Sequence, residues 1–223
     1  MDTREKPSFH GFTFVYVVTG AAFLVLIALD RGGIGRTILK ALPVSTLIVL
    51  VLRDIRGFPG IFLTGALLGS VCGDVLLDLP DAGFFIYGLV AFLAAHVFYT
   101  VLFFRYAKRP CGSDMAVIAG LILFAGLMLW IFRGIDPNLF GPVAAYIVVI
   151  VTMSIGALLV PAADRLLFCG ALLFIASDLV LAVNKFLIAV PYGRPVNISL
   201  YFLAQFSIVA AARAIWMNRR EGE

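Results

Sequence analysis

Charge is scarce in this chain. Asp, Glu, Lys and Arg make up 13% of its 223 residues, against 62% hydrophobic residues. Soluble domains hold about 25% charged and about 45–50% apolar residues, so a water-soluble globule is excluded and an integral membrane protein is indicated. Histidine is scarcer still, with His10 and His96 the two in the sequence. A three-histidine zinc hydrolase cannot be assembled from that pair, and neither a metal nor another cofactor is expected. Cys72, Cys111 and Cys169 show no C-x-x-C spacing and form an odd set, which argues against a disulfide framework; they read as free thiols in apolar surroundings. A Gly-x-Ser-x-Gly elbow, a Walker A loop and a dinucleotide fingerprint are all missing, so nucleotide-driven chemistry has no support. The formal net charge of +4 comes without a basic run interleaved with aromatics, so no nucleic-acid partner is expected.

What the chain has is long apolar runs. About 20 apolar residues cross the hydrocarbon core of a bilayer. Eight such runs occur, at approximately 12–29, 38–52, 60–79, 83–104, 115–132, 142–160, 165–188 and 196–216. Short separators with turn or charge signals divide them, among them Pro80-Asp81, Pro161 to Asp164 and Pro191 to Pro195. The fold class expected is all-α: residues 1–223 as one polytopic membrane bundle of about eight transmembrane helices, with no room for a soluble domain. The opening MDTREKPSFH mixes acids and bases and lacks a small-residue cleavage site, so the first run reads as an uncleaved helix.

Loop charge orients the bundle, because basic residues gather on the cytoplasmic side. Eight spans put both ends on one side. That side carries Arg4, Lys6, Arg53, Arg56, Arg105, Lys108, Arg109, Arg165, Arg219 and Arg220, and the other carries Arg31, Arg36, Arg133 and Arg194. Ten against four places both termini in the cytoplasm, and the short loops suit a bacterial inner membrane.

Two acidic residues break the apolar pattern: Asp74 in GSVCGDVLLDLP and Asp178 in FIASDLVLAVNKF. A carboxylate within a span costs about 2.5–3.5 kcal/mol on insertion scales, so each needs a reason. The third and seventh spans run the same way, and at the helical rise of about 1.5 Å per residue the two aspartates reach similar depth, where they can face each other across a core. A short internal similarity strengthens the pairing. Gly-Asp-Val-Leu-Leu at 73–77 resembles Ser-Asp-Leu-Val-Leu at 177–181, and Phe92 to His96 resembles Phe202 to Gln205. Two parallel four-helix halves would explain this, with His96 answering to Gln205.

From the residues alone three readings of the aspartates stay open: a buried hydrogen bond that fixes helix packing, ion or proton translocation, and a catalytic carboxylate pair. Removing a carboxyl from water favours its neutral form, and a second carboxylate nearby separates the two titrations. One member of a pair then serves as acid while the other stays ionised. Ser70 and Asp78 share the Asp74 face of the third span, and Ser70 is placed to orient Asp74. Asp78 and Asp81 approach the interface and read as solvated. Lys185 follows Asp178 by two turns, with Asn184 beside it. Lys185 reads either as a snorkelling side chain or, with Lys40 on the same side, as a phosphate ligand. His96, with Tyr99 one turn on, reads as a packed histidine or as a partner of the aspartates. Tyr146, Tyr201 and Gln205 are intramembrane polar groups expected to line one cavity or to satisfy each other.

These pieces together resemble the YhhN-like family of multi-pass membrane proteins, which includes the lysoplasmalogenases. The matching residues are Lys40 with Pro43; Gly69-Ser70-x-x-Gly73-Asp74-x-x-Leu77; Phe85-x-x-Gly88; Phe92-x-x-x-His96-x-x-Tyr99; Tyr146; Gly170 to Phe174, Ser177-Asp178-x-x-Leu181-x-x-Asn184-Lys185-Phe186; and Tyr201-x-x-x-Gln205. They span roughly residues 40 to 210. The resemblance implies an eight-helix hydrolase in the bilayer that cleaves the sn-1 vinyl ether of lysoplasmalogens. The products would be a fatty aldehyde and glycerophosphoethanolamine or glycerophosphocholine. It implies catalysis by Asp74 and Asp178 without metal or cofactor. A lysophospholipid substrate would be bound by Lys40, Ser70, His96, Tyr99, Tyr146, Ser177, Asn184, Lys185, Tyr201 and Gln205.

Other classes make different demands. An intramembrane aspartyl protease also uses two aspartates, but Val71-Cys72-Gly73-Asp74 lacks the first glycine of Gly-x-Gly-Asp, and no Pro-Ala-Leu motif is present. A proton-coupled transporter or lipid-binding protein would use the same carboxylates as a relay and release no aldehyde. A purely structural protein predicts that Asp→Asn changes damage stability alone.

Overall fold

A computed structural model describes residues 9–79, 81, 83–162 and 165–217. Arg4, Lys6, Pro80, Asp164, Arg219 and Arg220, used above to set loops and orientation, lie outside the described residues. Eight helices follow in order: α1 (Phe9–Ala28), α2 (Ile34–Asp54), α3 (Gly57–Asp78), α4 (Phe84–Arg105), α5 (Gly112–Phe132), α6 (Pro137–Leu159), α7 (Leu166–Phe186) and α8 (Gly193–Trp216). Each is long and apolar enough to cross a membrane, and the described residues contain no strand. The fold is an all-α, multi-pass membrane bundle.

Six helices start three to five residues earlier than hydropathy predicts, α1 and α2 among them. α1 begins at Phe9, where the Thr13 hydroxyl donates to the Phe9 carbonyl, so its polar side chain stays inside the helix's own hydrogen bonding. α2 begins at Ile34, after Gly33 at φ +101°, a conformation that glycine adopts at no steric cost. This earlier start brings Arg36 and Thr37 onto the same helix as Lys40. Pro43 lies within it, one turn beyond Lys40.

Lipid is as apolar as leucine, so helices in a membrane associate through close packing and buried polar bonds rather than through expulsion of apolar surface from water. Both devices are visible. The most extensive helix pairs are α3 with α4 and α7 with α8, and each has a seam of small residues. On α3, Gly65, Gly69 and Gly73 recur every four residues. A Cβ on Gly69 would sit 3.1 Å from the Ala91 carbonyl and from the Ala95 methyl, and one on Gly73 would collide with the Phe92 ring. On α7, a Cβ on Gly170 would stand 2.8 Å from Ile208 and 3.2 Å from the Ala204 carbonyl. α4 also packs on α6, α2 joins α1, α3 and α8, and α5 is held chiefly by α6. Large apolar side chains such as Phe14, Leu52 and Leu123 face outward, whereas Lys40, Ser70, Asp74, His96 and Gln205 are buried. The outer surface is thus apolar, and an apolar core encloses a small set of polar side chains.

At the end of the bundle where α1 begins and α8 finishes, Asp54 of α2 is bound by its neighbour Arg53 and by Arg213 of α8. Arg53 lies over Phe12 and Arg213 over Phe9. This cluster ties α1, α2 and α8 together. The site lies deeper and toward the opposite end.

The glycine seam is testable. Gly73→Ala should destabilise the detergent-solubilised protein by about 1–3 kcal/mol, the usual range for overpacking, seen as a lowered thermal midpoint. Gly120→Ala, where no atom lies within 4 Å of the added methyl, should leave the midpoint unchanged or slightly raised.

Candidate active site

The two aspartates lie in different surroundings. Asp74 is 1% exposed. Its Oδ2 accepts a hydrogen bond from the Tyr201 hydroxyl at 2.6 Å, and its Oδ1 is 3.3 Å from Lys40 Nζ. The same ammonium donates to the Asp74 carbonyl at 3.1 Å. A polar chain continues away from this pair. Gln205 Nε2 is 3.5 Å from the Tyr201 hydroxyl and donates to Ser70 at 2.9 Å, while its Oε1 accepts from Tyr99 at 2.7 Å. Ser70 donates to the Ala66 carbonyl. The hydroxyl is therefore occupied within its own helix and does not orient Asp74 as its spacing suggests.

Asp178 is partly open, with 19% of its side chain exposed. Its Oδ2 accepts from the Tyr146 hydroxyl at 2.7 Å and lies 3.9 Å from His96 Nε2. The histidine is oriented from its other side, where Nδ1 meets the Phe92 carbonyl at 2.6 Å. A carbonyl only accepts, so Nδ1 carries the proton and Nε2 of the neutral ring presents a lone pair. That Nε2 is buried and has no hydrogen-bond partner within the described residues. The imidazole is fixed further by edge contacts with Tyr146 at 5.2 Å and Phe174 at 4.6 Å.

No hydrogen bond joins the two carboxylates among the described residues; each has its own tyrosine. Phe174 connects the centres, meeting His96 on one edge and Tyr201, at 5.5 Å, on the other. The helices cross over in the process. α4 packs on α3 but turns His96 toward Asp178 of α7. α8 packs on α7 but turns Tyr201 and Gln205 toward Asp74 and Ser70 of α3. His96 thus faces Asp178 directly, whereas Gln205 bonds Ser70 and Tyr99 and reaches Asp74 only through Tyr201.

A partly open apolar cavity lies beside Asp178, walled by Leu77, Phe85, Leu89, Phe92, Phe124, Met128, Phe132, Tyr146, Ile150, Ile175 and Phe186 among others. Apart from Asp178 and Tyr146, its described lining is hydrocarbon and aromatic. Asp74 does not line it.

With this geometry in place, comparison with known proteins becomes informative. The profile of the YhhN family matches residues 35–212. The chain belongs to the YhhN family. A Sus scrofa protein named lysoplasmalogenase TMEM86B is 35% identical over 187 residues, covering 83% of this chain and 79% of the relative. Human lysoplasmalogenase TMEM86A is 32% identical over 189 residues, covering 79% and 77%. A Mycobacterium tuberculosis protein named lysoplasmalogenase is 34% identical over 132 residues, covering 57% and 51%. No solved structure matches the chain.

In this YhhN-family chain, His96 and Tyr146 gather round Asp178, while Lys40, Ser70, Tyr99, Tyr201 and Gln205 gather round Asp74. Three further residues have partners away from both aspartates. Ser177 donates to the Asn197 carbonyl and accepts from the Asn197 amide, which ties α7 to α8. Asn184 Oδ1 accepts from the Val190 backbone at 2.9 Å and so shapes the α7–α8 turn. Lys185 is exposed and sits over the Phe85 ring at 4.8 Å, so it does not join Lys40.

Asp78 departs most from its sequence reading. It is buried rather than solvated: Arg194 holds Oδ1 at 2.6 Å, and Thr37 and Arg36 hold Oδ2 at 2.7 and 3.3 Å. Arg36 and Arg194 were read as loop charges on hydropathy, and their long sequence separation from Asp78 gave no sign of the contact. The one available signal was that Asp78 lies one turn from Asp74 on the same helical face.

The Lys40–Asp74 pair can be tested by its removal. Lys40→Ala leaves a buried carboxylate without its cation and should cost about 3–5 kcal/mol, read as loss of folded protein in thermal unfolding. Lys40→Met combined with Asp74→Leu should recover much of that loss.

Proposed function

We propose that this chain is a lysoplasmalogenase-type hydrolase. Its substrates would be lysoplasmalogens, single-chain glycerophospholipids with an sn-1 vinyl ether. Its products would be a fatty aldehyde and glycerophosphoethanolamine or glycerophosphocholine. The observation that carries the reading is Asp178: one carboxyl group in the wall of an otherwise apolar cavity, bonded to one tyrosine and facing an unpartnered histidine nitrogen. The names of the pig, human and mycobacterial relatives support it.

Acid cleavage of a vinyl ether begins with protonation of the alkene carbon, and a positioned carboxylic acid is the donor for that step. Asp178 in its neutral form transfers its proton, and the alkene electron pair forms the new C–H bond. The oxocarbenium ion that results lies against the newly formed Asp178 carboxylate. Tyr146 donates to Oδ2, which leaves Oδ1 as the oxygen that carries the transferable proton. Water then adds to the cation, and His96 Nε2, with its free lone pair, accepts the proton that water loses. Return of that proton to the glycerol oxygen, with loss of the hemiacetal proton to Asp178, breaks the C–O bond and restores both groups. One water is consumed and no electrons are exchanged.

Asp74 has a different share of the work. Ion-paired with Lys40, it is the carboxylate that stays charged, and it holds Lys40 and Tyr201 in place without touching the cavity. The apolar walls would seat the single chain, entering from the bilayer. We also place both termini in the cytoplasm, on the basic-loop asymmetry, and the protein in a bacterial inner membrane, on its short loops.

The test is aldehyde release from lysoplasmenyl-ethanolamine by the purified protein in lipid nanodiscs. Asp178→Asn should lower the rate by about 100- to 10,000-fold, the range of general acid catalysis, while the variant stays folded. Turnover at the wild-type rate by Asp178→Asn would remove it as the acid. An inert, well-folded wild type would end the hydrolase reading in favour of transport or lipid binding.

A further inference from the structure

A second pocket adjoins the apolar cavity and differs from it in chemistry. It lies at the end of the bundle where α3 and α7 finish and α2 and α8 begin. Its lining includes Arg36, Lys40, Asp78, Asn184 and Arg194, and it is open on one side. Leu77 and Leu181 line both pockets and form the neck between them. Leu181 is one turn beyond Asp178, and Leu77 one turn beyond Asp74. At about 1.5 Å of rise per residue, the neck begins about 5 Å along the helix axis from either carboxylate.

The cations here are held ready rather than neutralised. Each guanidinium bonds Asp78 through one nitrogen, Nε of Arg36 and Nη2 of Arg194, out of five N–H donors that the group carries. The Asp78 side chain has no exposure, so it fixes both forks from behind while their other faces line the pocket. Lys40 is anchored by Asp74 in the same way. Three cations against Asp74 and Asp78 leave one positive charge in excess. That excess matches the single negative charge of a phosphodiester, and paired arginine forks match its oxygen geometry.

We propose that this pocket binds the phosphodiester of a single-chain phospholipid, with Arg36, Arg194 and Lys40 as its ligands. The lipid then lies along one line: its chain in the apolar cavity, its glycerol at the Leu77–Leu181 neck, its phosphate among the cations, and its sn-1 oxygen near Asp178. The choice of a lipid rests on the hydrolase reading above, whereas the phosphate preference rests on the pocket alone. Lys185, the other lysine nominated from the sequence, has no part in it.

Binding without turnover tests this. A saturated 1-alkyl lysophosphatidylethanolamine has no vinyl ether to cleave, 1-alkylglycerol lacks the phosphate, and glycerol 3-phosphate lacks the chain. Each is titrated against the protein in uncharged nanodiscs. The lysophospholipid should bind at least about tenfold more tightly than the alkylglycerol, as expected of charge-assisted bonds. Arg36→Ala with Arg194→Ala should erase that difference and leave alkylglycerol affinity unchanged. Should the double variant fail to fold, Arg194→Ala alone, at a side chain 45% exposed, should narrow the difference several-fold. Competition by millimolar glycerol 3-phosphate would support the phosphate site and show that the chain is dispensable; its absence, with tight lysophospholipid binding, would support the site as one for lipid. Equal affinity for lysophospholipid and alkylglycerol, or a preference that survives both arginine substitutions, would overturn the proposal. Aldehyde release is a separate readout: phosphate-dependent binding by a protein that releases none would overturn the hydrolase reading and leave this site standing.

Discussion

The polar chain that runs from Asp74 through Tyr201 to Gln205 and Ser70 depends on the ion pair between Lys40 and Asp74. A charge taken out of water is costly unless an opposite charge and further hydrogen bonds replace its hydration. Here Lys40 meets both the side chain and the backbone carbonyl of Asp74, and Tyr201 fills the remaining oxygen. The pair thereby fastens α2 and α8 to α3. It also settles where Tyr201 stands, and through Tyr201 the aromatic contacts with Phe92 and Phe174. The small-residue seams of α3 and α7 let α4 and α8 come close enough for these contacts to form.

The two membrane aspartates have one residue type and opposite situations. Asp74 is closed and fully partnered. Asp178 has a single tyrosine donor, an open face and a histidine lone pair 3.9 Å away. Environment, not sequence, sets the two apart. The local strings around them, Gly-Asp-Val-Leu-Leu and Ser-Asp-Leu-Val-Leu, are nearly interchangeable.

Across the Leu77–Leu181 neck the surroundings change from aromatic and aliphatic walls to arginine, lysine and carboxamide. An amphiphile with one chain and one charged head fits such a boundary better than a wholly apolar or wholly polar molecule. The charged pocket lies at a helix-end level, where a headgroup can meet water, and the apolar one lies among the helices beside the lipid. The boundary also accounts for the burial of Asp78, which orients two arginines without entering the apolar cavity.

Composition and period alone determined the class of the protein. Sparse charge and eight apolar runs of spanning length leave a helical membrane bundle as the remaining solution, because a backbone in hydrocarbon must satisfy its own hydrogen bonds. The cost of a carboxylate within a span likewise singles out Asp74 and Asp178, and the polar types His96, Tyr146, Tyr201 and Gln205 inside other spans point to a lined interior. Tertiary structure decided who partners whom. Ser70 turned to its own helix, Ser177 and Asn184 to the α7–α8 connection, and Lys185 to the surface over Phe85. Arg36, Asp78 and Arg194, spread over three helices, came together as one cluster. Helical spacing reports which residues share a face, and it is silent on which face of another helix, far along the chain, that face will meet.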